Sequence, residues 1–206
     1  MMGAKLGTIF ARAGHEVTFS YARSEEKLKR LAREAKGNAR AGTPREAAQA
    51  DAVLVAVHWS RMNDVLKQAG DLSGKVVVTC SLPMNDQNTE LVLGTTWSGS
   101  EELAKRVPGA RVVCALNTVP SEVLFDVFEA RHDSRRPSLL YCGDDSGSKR
   151  TVADLISDVG FQPVDAGPLR IARYTEPFAL LVGQLAYEGK GGPELAYRFE
   201  NIRGNG

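Results

Sequence analysis

Short apolar runs and amphipathic stretches alternate along the whole chain. HEVTFSY (15–21), DAVLVAV (51–57), KVVVTCS (75–81), RVVCALN (111–117), SLLYCG (138–143) and FQPVDAG (161–167) predict strands, with NARAGT (38–43) as a weaker one. VLVAV and VVV are apolar at consecutive rather than alternate positions, which marks strands covered on both faces, as parallel strands are. Helical patterns fill the gaps over 3–13, 24–35, 44–50, 60–69, 99–106, 121–131, 146–159 and 169–187. Ser24 before Glu25-Glu26 is an N-cap with favourable first-turn charges. Thr43-Pro44 is a cap with proline at the first helical position, and Gly14, Gly37, Gly70 and Gly160 fall where helices should stop. Repeated strand–helix alternation implies right-handed crossovers and the α/β class. The predicted fold is a Rossmann-type doubly wound, mostly parallel sheet with a C-terminal strand/helix extension. A first unit over 1–135 is followed by an extension over 136–206 packed on the same sheet. The long irregular stretch 81–100 exceeds an ordinary connection and is either functional or a local excursion.

Composition narrows the function classes. The 206 residues carry 26 basic and 25 acidic side chains, for a formal net charge of +1. That balance gives no reason to expect nucleic acid or an anionic membrane as a partner. No apolar run approaches the ~20 residues of a membrane span, and the N-terminal stretch, broken by Lys5, Arg12 and Gly14, is no signal peptide. Cys80, Cys114 and Cys142 are far apart, each in a strand-like run, and show no metal spacing. They read as buried, reduced thiols of a cytoplasmic protein. The expected partner is a small-molecule substrate, and a homodimer stays open.

The first residues pose a question of their own. In a dinucleotide-binding unit, a strand ending in G-x-G-x-x-G feeds a helix whose N-terminus receives the pyrophosphate. MGAKLGTIFARAGHEV has the form of the second half of such a unit. Gly3 is its last glycine or that glycine's neighbour, and Ala4, Leu6, Ile9, Phe10 and Ala13 form the face toward the sheet. The preceding strand and leading glycines are not in the sequence. Met1 is therefore expected to be an internal or truncated start, the alternative being a natural N-terminus with another strand order. With that strand lacking, dinucleotide binding is expected to be poor unless a neighbouring segment fills the gap.

The MGAKLG helix start, VPGARVVCALNTVPSEVL (107–124) and LLYCGDDSGSKRTVADLISDVGFQPVDAGPLRIARYTEP (139–177) resemble the deazaflavin-dependent NADP oxidoreductase family. The most specific parts are A-L-N-T-V and the D-D…G-F-x-P-V-D-A-G-P-L block. The resemblance implies hydride transfer between NADP(H) and a deazaflavin (coenzyme F-420) or flavin-like acceptor. Two other readings remain: an NADPH-dependent reductase of a small imine or carbonyl, and a non-catalytic, degenerate nucleotide-binding domain.

Cofactor choice is read at the end of the second strand, where an NAD-preferring unit carries Asp or Glu. Here the turn is SYARSEEK: Arg23, with Ser20, Tyr21, Ser24 and Lys27, offers cations and hydroxyls suited to a 2′-phosphate, or else is an ordinary solvated turn. The family resemblance implies a similar Ser-Arg pair in a turn one residue shorter. Met2 and Gly3 fall at the pyrophosphate-facing helix start, and Ala56, Val57 and His58 at the next strand end. The family has a proline where His58 stands; a backbone contact to the cofactor is preferred there over a catalytic imidazole. Ser81 and Pro83 match the family's polar-x-Pro turn near the nicotinamide. Asn117 and Thr118 end the 111–117 strand at the edge where open α/β sheets bind ligands. Asn117 is suited to the carboxamide or a substrate carbonyl, or else forms a turn before T-V-P. Arg173 and Glu176, three apart, suggest a mutual pair. Met84 and Trp97 either line a second-substrate pocket or pack. No nucleophile–base pair, proton relay or metal cluster is evident, so no catalytic side chain and no metal ligand is assigned. That suits hydride passing directly between stacked rings better than alcohol oxidation.

Overall fold

The computed structural model describes residues 2–22 and 24–202. Among the described residues seven strands and eight helices follow the predicted order: α1 (Met2–Arg12), β1 (Val17–Phe19), α2 (Glu25–Ala35), β2 (Ala39–Ala41), α3 (Pro44–Ala47), β3 (Ala52–Val55), α4 (Met62–Ala69), β4 (Val76–Thr79), α5 (Gly99–Arg106), β5 (Arg111–Ala115), α6 (Leu124–Glu129), β6 (Ser138–Gly143), α7 (Ser146–Val159), β7 (Gln162–Asp165) and α8 (Ala172–Tyr187). Short 3₁₀ turns precede α4, α6 and α8. The strands form a parallel β1–β2 pair and a five-stranded sheet in the order β3-β4-β5-β6-β7. The fold is α/β and of Rossmann type.

Val53, Val77 and Val112 are in register, as are Val55, Thr79 and Cys114 across β3, β4 and β5. All four residues of β4 are buried, which is why its sequence shows no alternation. The chain leaves β5 at one edge of the sheet and returns to that edge after α6, so β6 pairs antiparallel with β5, and β7 parallel with β6.

One apolar layer joins Leu6, Ile9 and Phe10 of α1 to Val78, Val113, Leu139, Ile156 and Phe161. The opposite face packs Val77, Val112 and Cys142 against Met62, Leu103 and Leu169. A smaller cluster of Ala11, Phe19, Leu28 and Ala35 holds the β1–β2 pair against α1 and α2. Burying such side chains contributes about 1.5–3 kcal/mol each, and α1 unites the two sheets because its apolar face serves both.

One local expectation changes. Helix α2 ends on Lys36, in the left-handed region at φ 54°, rather than on Gly37. Gly37 is needed for another reason: a Cβ there would lie 2.3 Å from the Ala11 carbonyl oxygen. Pro177 lies inside α8 without ending it.

Candidate functional site

The in-register strands β3, β4 and β5 bring residues 56–58, 80–83 and 116–118 to one sheet edge. Ser81 knits two of these loops together. Its buried hydroxyl donates to the Val57 carbonyl (2.7 Å) and accepts the Val57 N–H (3.2 Å). The start of α1 meets the same edge: a Cβ on Gly3 would lie 2.9 Å from the Ala56 Cβ. Only a residue without a side chain lets the helix approach so closely. No acidic residue stands in the first turn of α1, which leaves the helix dipole uncompensated for an anion.

At the end of β5 the chain turns sharply. Leu116, almost fully buried, is left-handed at φ 64°, a conformation costing roughly 1–2 kcal/mol outside glycine. Asn117 follows, 8% exposed. Its Nδ2 donates to Cys114 Sγ at 3.4 Å, and its Oδ1 is the one buried side-chain polar atom without a partner among the described residues. An unpaired buried acceptor costs about 1–3 kcal/mol, and a ligand donor would relieve it. Thr118 is fully buried and its hydroxyl meets the Tyr197 phenol at 2.7 Å.

On the far side, Tyr21 in the turn after β1 is left-handed (φ 56°) and donates to Asp64 of α4 at 2.6 Å. Burial and this bond raise the Tyr21 phenol, while the same bond holds Asp64 below the usual carboxylate range. The turn after β1 is thereby tied to the helix that follows β3. Ser24 is exposed and caps α2, accepting the Lys27 N–H at 3.3 Å. Lys27 and Ser20 are half-buried in the same region. Met2, half-buried, opens α1. Arg23 lies outside the described residues.

Both His58 ring nitrogens are engaged, Nδ1 with Ser60 Oγ and Nε2 with Asn88 Oδ1, each at 2.9 Å. His58 therefore anchors the 81–100 loop. Pro83 is buried against the start of α5, its ring 3.0 Å from where a Gly99 Cβ would stand. Desolvation pushes the Cys80 thiol up to about 12, far from a thiolate nucleophile. Among the described residues no group of His, Cys, Asp or Glu could hold a metal ion.

Arg173 and Glu176 do not pair with each other. Arg173 makes a two-pronged bond to Glu101 of α5 (2.7 and 2.8 Å). Buried Glu176 accepts the Gly99 and Ser100 N–H groups at 2.8 and 2.9 Å. Their shared task is to dock α8 on the N-terminus of α5. Trp97 packs under Lys105 (3.8 Å to the ring centre) and lines an open cavity of about 460 Å³ with Asp144, Leu169 and Arg170. Asp144 and Leu169 follow β6 and β7, so this side of the cavity lies at the other end of the sheet from Asn117. Met84 pairs with Leu91 inside the 81–100 loop.

Tyr197 and Asp64, the partners of Thr118 and Tyr21, carry no signal in the sequence. Tyr197 stands in the patternless tail GGPELAYRFE, and Asp64 is indistinguishable in sequence from a first-turn helix acid.

Residues 1–83 match the family described as NADP oxidoreductase, coenzyme F420-dependent. Over 153 residues the chain is 28% identical to the F420-dependent NADP reductase of Methanocaldococcus jannaschii, covering 70% of this chain and 67% of that protein. It is 30% identical over 130 residues to the rat (Rattus norvegicus) metalloreductase STEAP3, covering 63% of this chain but only a quarter (25%) of that relative's length. A crystal structure from Arthrobacter sp. FB24, described as a proposed F420-dependent NADP reductase, superposes with a TM-score of 0.83 at 25% identity, over 97% of this chain and 95% of that one. The chain is thus similar to coenzyme F420-dependent NADP oxidoreductases, by the family match over residues 1–83 and by a fold shared with the Arthrobacter protein over nearly its whole length.

Proposed function

We propose that the chain binds NADP(H) along the edge of β1, β3, β4 and β5 and serves hydride transfer to or from a deazaflavin, coenzyme F-420, or a flavin. The observation that carries this reading is the unpartnered, buried Asn117 Oδ1 at the end of β5. An acceptor held there matches the amide N–H of a nicotinamide carboxamide. NADPH, when bound, supplies the hydride from its nicotinamide ring. The protein's part is to bind, orient and exclude water. The close Gly3–Ala56 approach at the start of α1 suits a pyrophosphate. The Ser20–Lys27 turn, with Arg23, suits a 2′-phosphate. Ser81 and Pro83 form the wall of the nicotinamide end, and the 81–100 loop, anchored by His58, covers the acceptor.

The absence of a proton relay in the sequence favours a ring acceptor over a carbonyl or imine. Three unbridged cysteines favour a reducing, cytoplasmic setting. Two measurements test the reading. Turnover of NADPH is followed with coenzyme F-420, with FMN and with a cyclic imine. Faster oxidation with either ring acceptor by at least ~tenfold supports the proposal, and faster oxidation with the imine contradicts it. Arg23→Ala is expected to weaken NADPH by about tenfold or more and NADH little, as loss of a charge-assisted bond does. Equal losses refute the phosphate assignment.

A further inference from the structure

The segment after α8 forms neither helix nor strand among the described residues, yet it is tied back to the sheet beside Asn117. The Ser138 N–H donates to the Tyr197 carbonyl (2.8 Å), and the Phe199 N–H donates to Ser138 Oγ (2.9 Å). The Tyr197 ring meets Phe178 and Phe199 edge-on, with centroids 5.2 and 5.4 Å away. Its phenol oxygen accepts the Leu140 N–H (3.3 Å) and shares a hydrogen bond with Thr118 Oγ1 (2.7 Å). Leu140 lies just beyond Ala115↔Tyr141, the last of the β5–β6 pairs. The phenol thus stands where β5 has turned away at the left-handed Leu116.

We propose that Tyr197 is a positioning residue for the nicotinamide end of the crevice: by holding Thr118 it fixes the Leu116–Thr118 turn, and so the direction in which Asn117 presents its unpartnered oxygen. This rests on the reading that Asn117 meets the nicotinamide. Asn117 has little else to orient it. Its own side-chain bond is to a thiol sulfur at 3.4 Å, a weak acceptor. A left-handed leucine persists only where its surroundings hold it. Tyr197 and Thr118 form the side-chain hydrogen bond next to it. Burial raises the Tyr197 phenol, so it stays neutral and keeps both its donor and its acceptor.

The test compares two probes, NADPH and adenosine 2′,5′-bisphosphate, which shares the phosphate end but has no nicotinamide. In Tyr197→Phe the Kd for NADPH is expected to rise roughly tenfold while that for the bisphosphate stays put. The double variant Asn117→Ala/Tyr197→Phe should bind NADPH no more weakly than Asn117→Ala alone, the signature of two residues acting through one contact. Thr118→Val reaches the same bond from its other side and should repeat the selective loss, with Thr118→Ser restoring affinity. Equal weakening of both probes, no weakening of either, or losses that add in full to Asn117→Ala overturn the proposal. The Asn117→Ala arm separates the two claims. NADPH affinity unchanged there removes the underlying placement of the nicotinamide, and wild-type chain binding neither probe removes both. A loss in Asn117→Ala without a selective loss in Tyr197→Phe removes only the role of Tyr197.

Discussion

Ser81 and Asn117 are both polar, both buried and both at strand ends, yet their situations are opposite. The Ser81 hydroxyl is saturated, bridging the two backbone polar groups of Val57. Asn117 keeps one atom unpaired. Ser81 is thereby a fastener between the β3 and β4 loops, whereas Asn117 keeps a buried acceptor that no described residue satisfies. Ser81→Ala should cost about 1–3 kcal/mol of folding stability by leaving the half-buried Val57 N–H and carbonyl without their partner, read as a lowered denaturant midpoint. A shift within experimental error would mean the β3 loop holds its shape unaided. Sequence made both positions visible, because each follows an unbroken apolar run and so falls at a strand end. It did not distinguish their states, which depend on a partner 24 residues away for Ser81 and on the turn at Leu116 for Asn117. Tyr197 was illegible for a simpler reason: a tail without periodicity gives no hint of which residue reaches the sheet.

At the scale of elements, boundaries followed from caps and glycines, whereas the joints between elements did not. Arg173 and Glu176 have the spacing of a helical pair, but α5 offers each a better partner. The Arg173 bonds hold Glu101 below the usual carboxylate range. A depressed folded pKa contributes stability above the unfolded value of about 4.3, and that stability is lost as pH falls through the folded pKa. Glu101→Gln keeps the capping role toward Ser98, since Gln serves in a capping box, but loses the ion pair. It should be less stable by about 1–3 kcal/mol at neutral pH, with the gap to wild type closing in acid. A gap that persists unchanged to low pH would show that the ion pair is not its source. Glu176 has the opposite sign: burial raises its pKa despite three hydrogen bonds. Its titration favours the native state in acid, and that contribution fades as pH rises through the folded value. At the other joint, Gly37→Ala would press a methyl into the Ala11 carbonyl. A loss of about 1–3 kcal/mol is expected, and an unchanged midpoint would contradict so close an approach.

In the whole molecule, the alternation of apolar runs with helices sufficed to predict an α/β fold, because strands covered on both faces leave no other pattern. The reversed direction of β6 was not legible: direction is set by where the chain returns to the sheet, and hydrophobicity does not encode that. The β1–β2 pair and the five-stranded sheet share α1 as their common support. The turn after β1, the start of α1 and Asn117 then lie at loops joined by the Tyr21–Asp64 bond, the Gly3–Ala56 approach and the Ser81–Val57 bonds. NADP(H) is expected at this edge and not in the cavity beside Trp97. The direct test is a two-dimensional amide NMR titration of the 206-residue chain with NADP⁺. Progressive shifts at Gly3, Tyr21, Ala56–His58, Ser81 and Asn117–Thr118 are predicted. Shifts confined to Trp97, Lys105 and Leu169–Arg170, or none at millimolar cofactor, would contradict it.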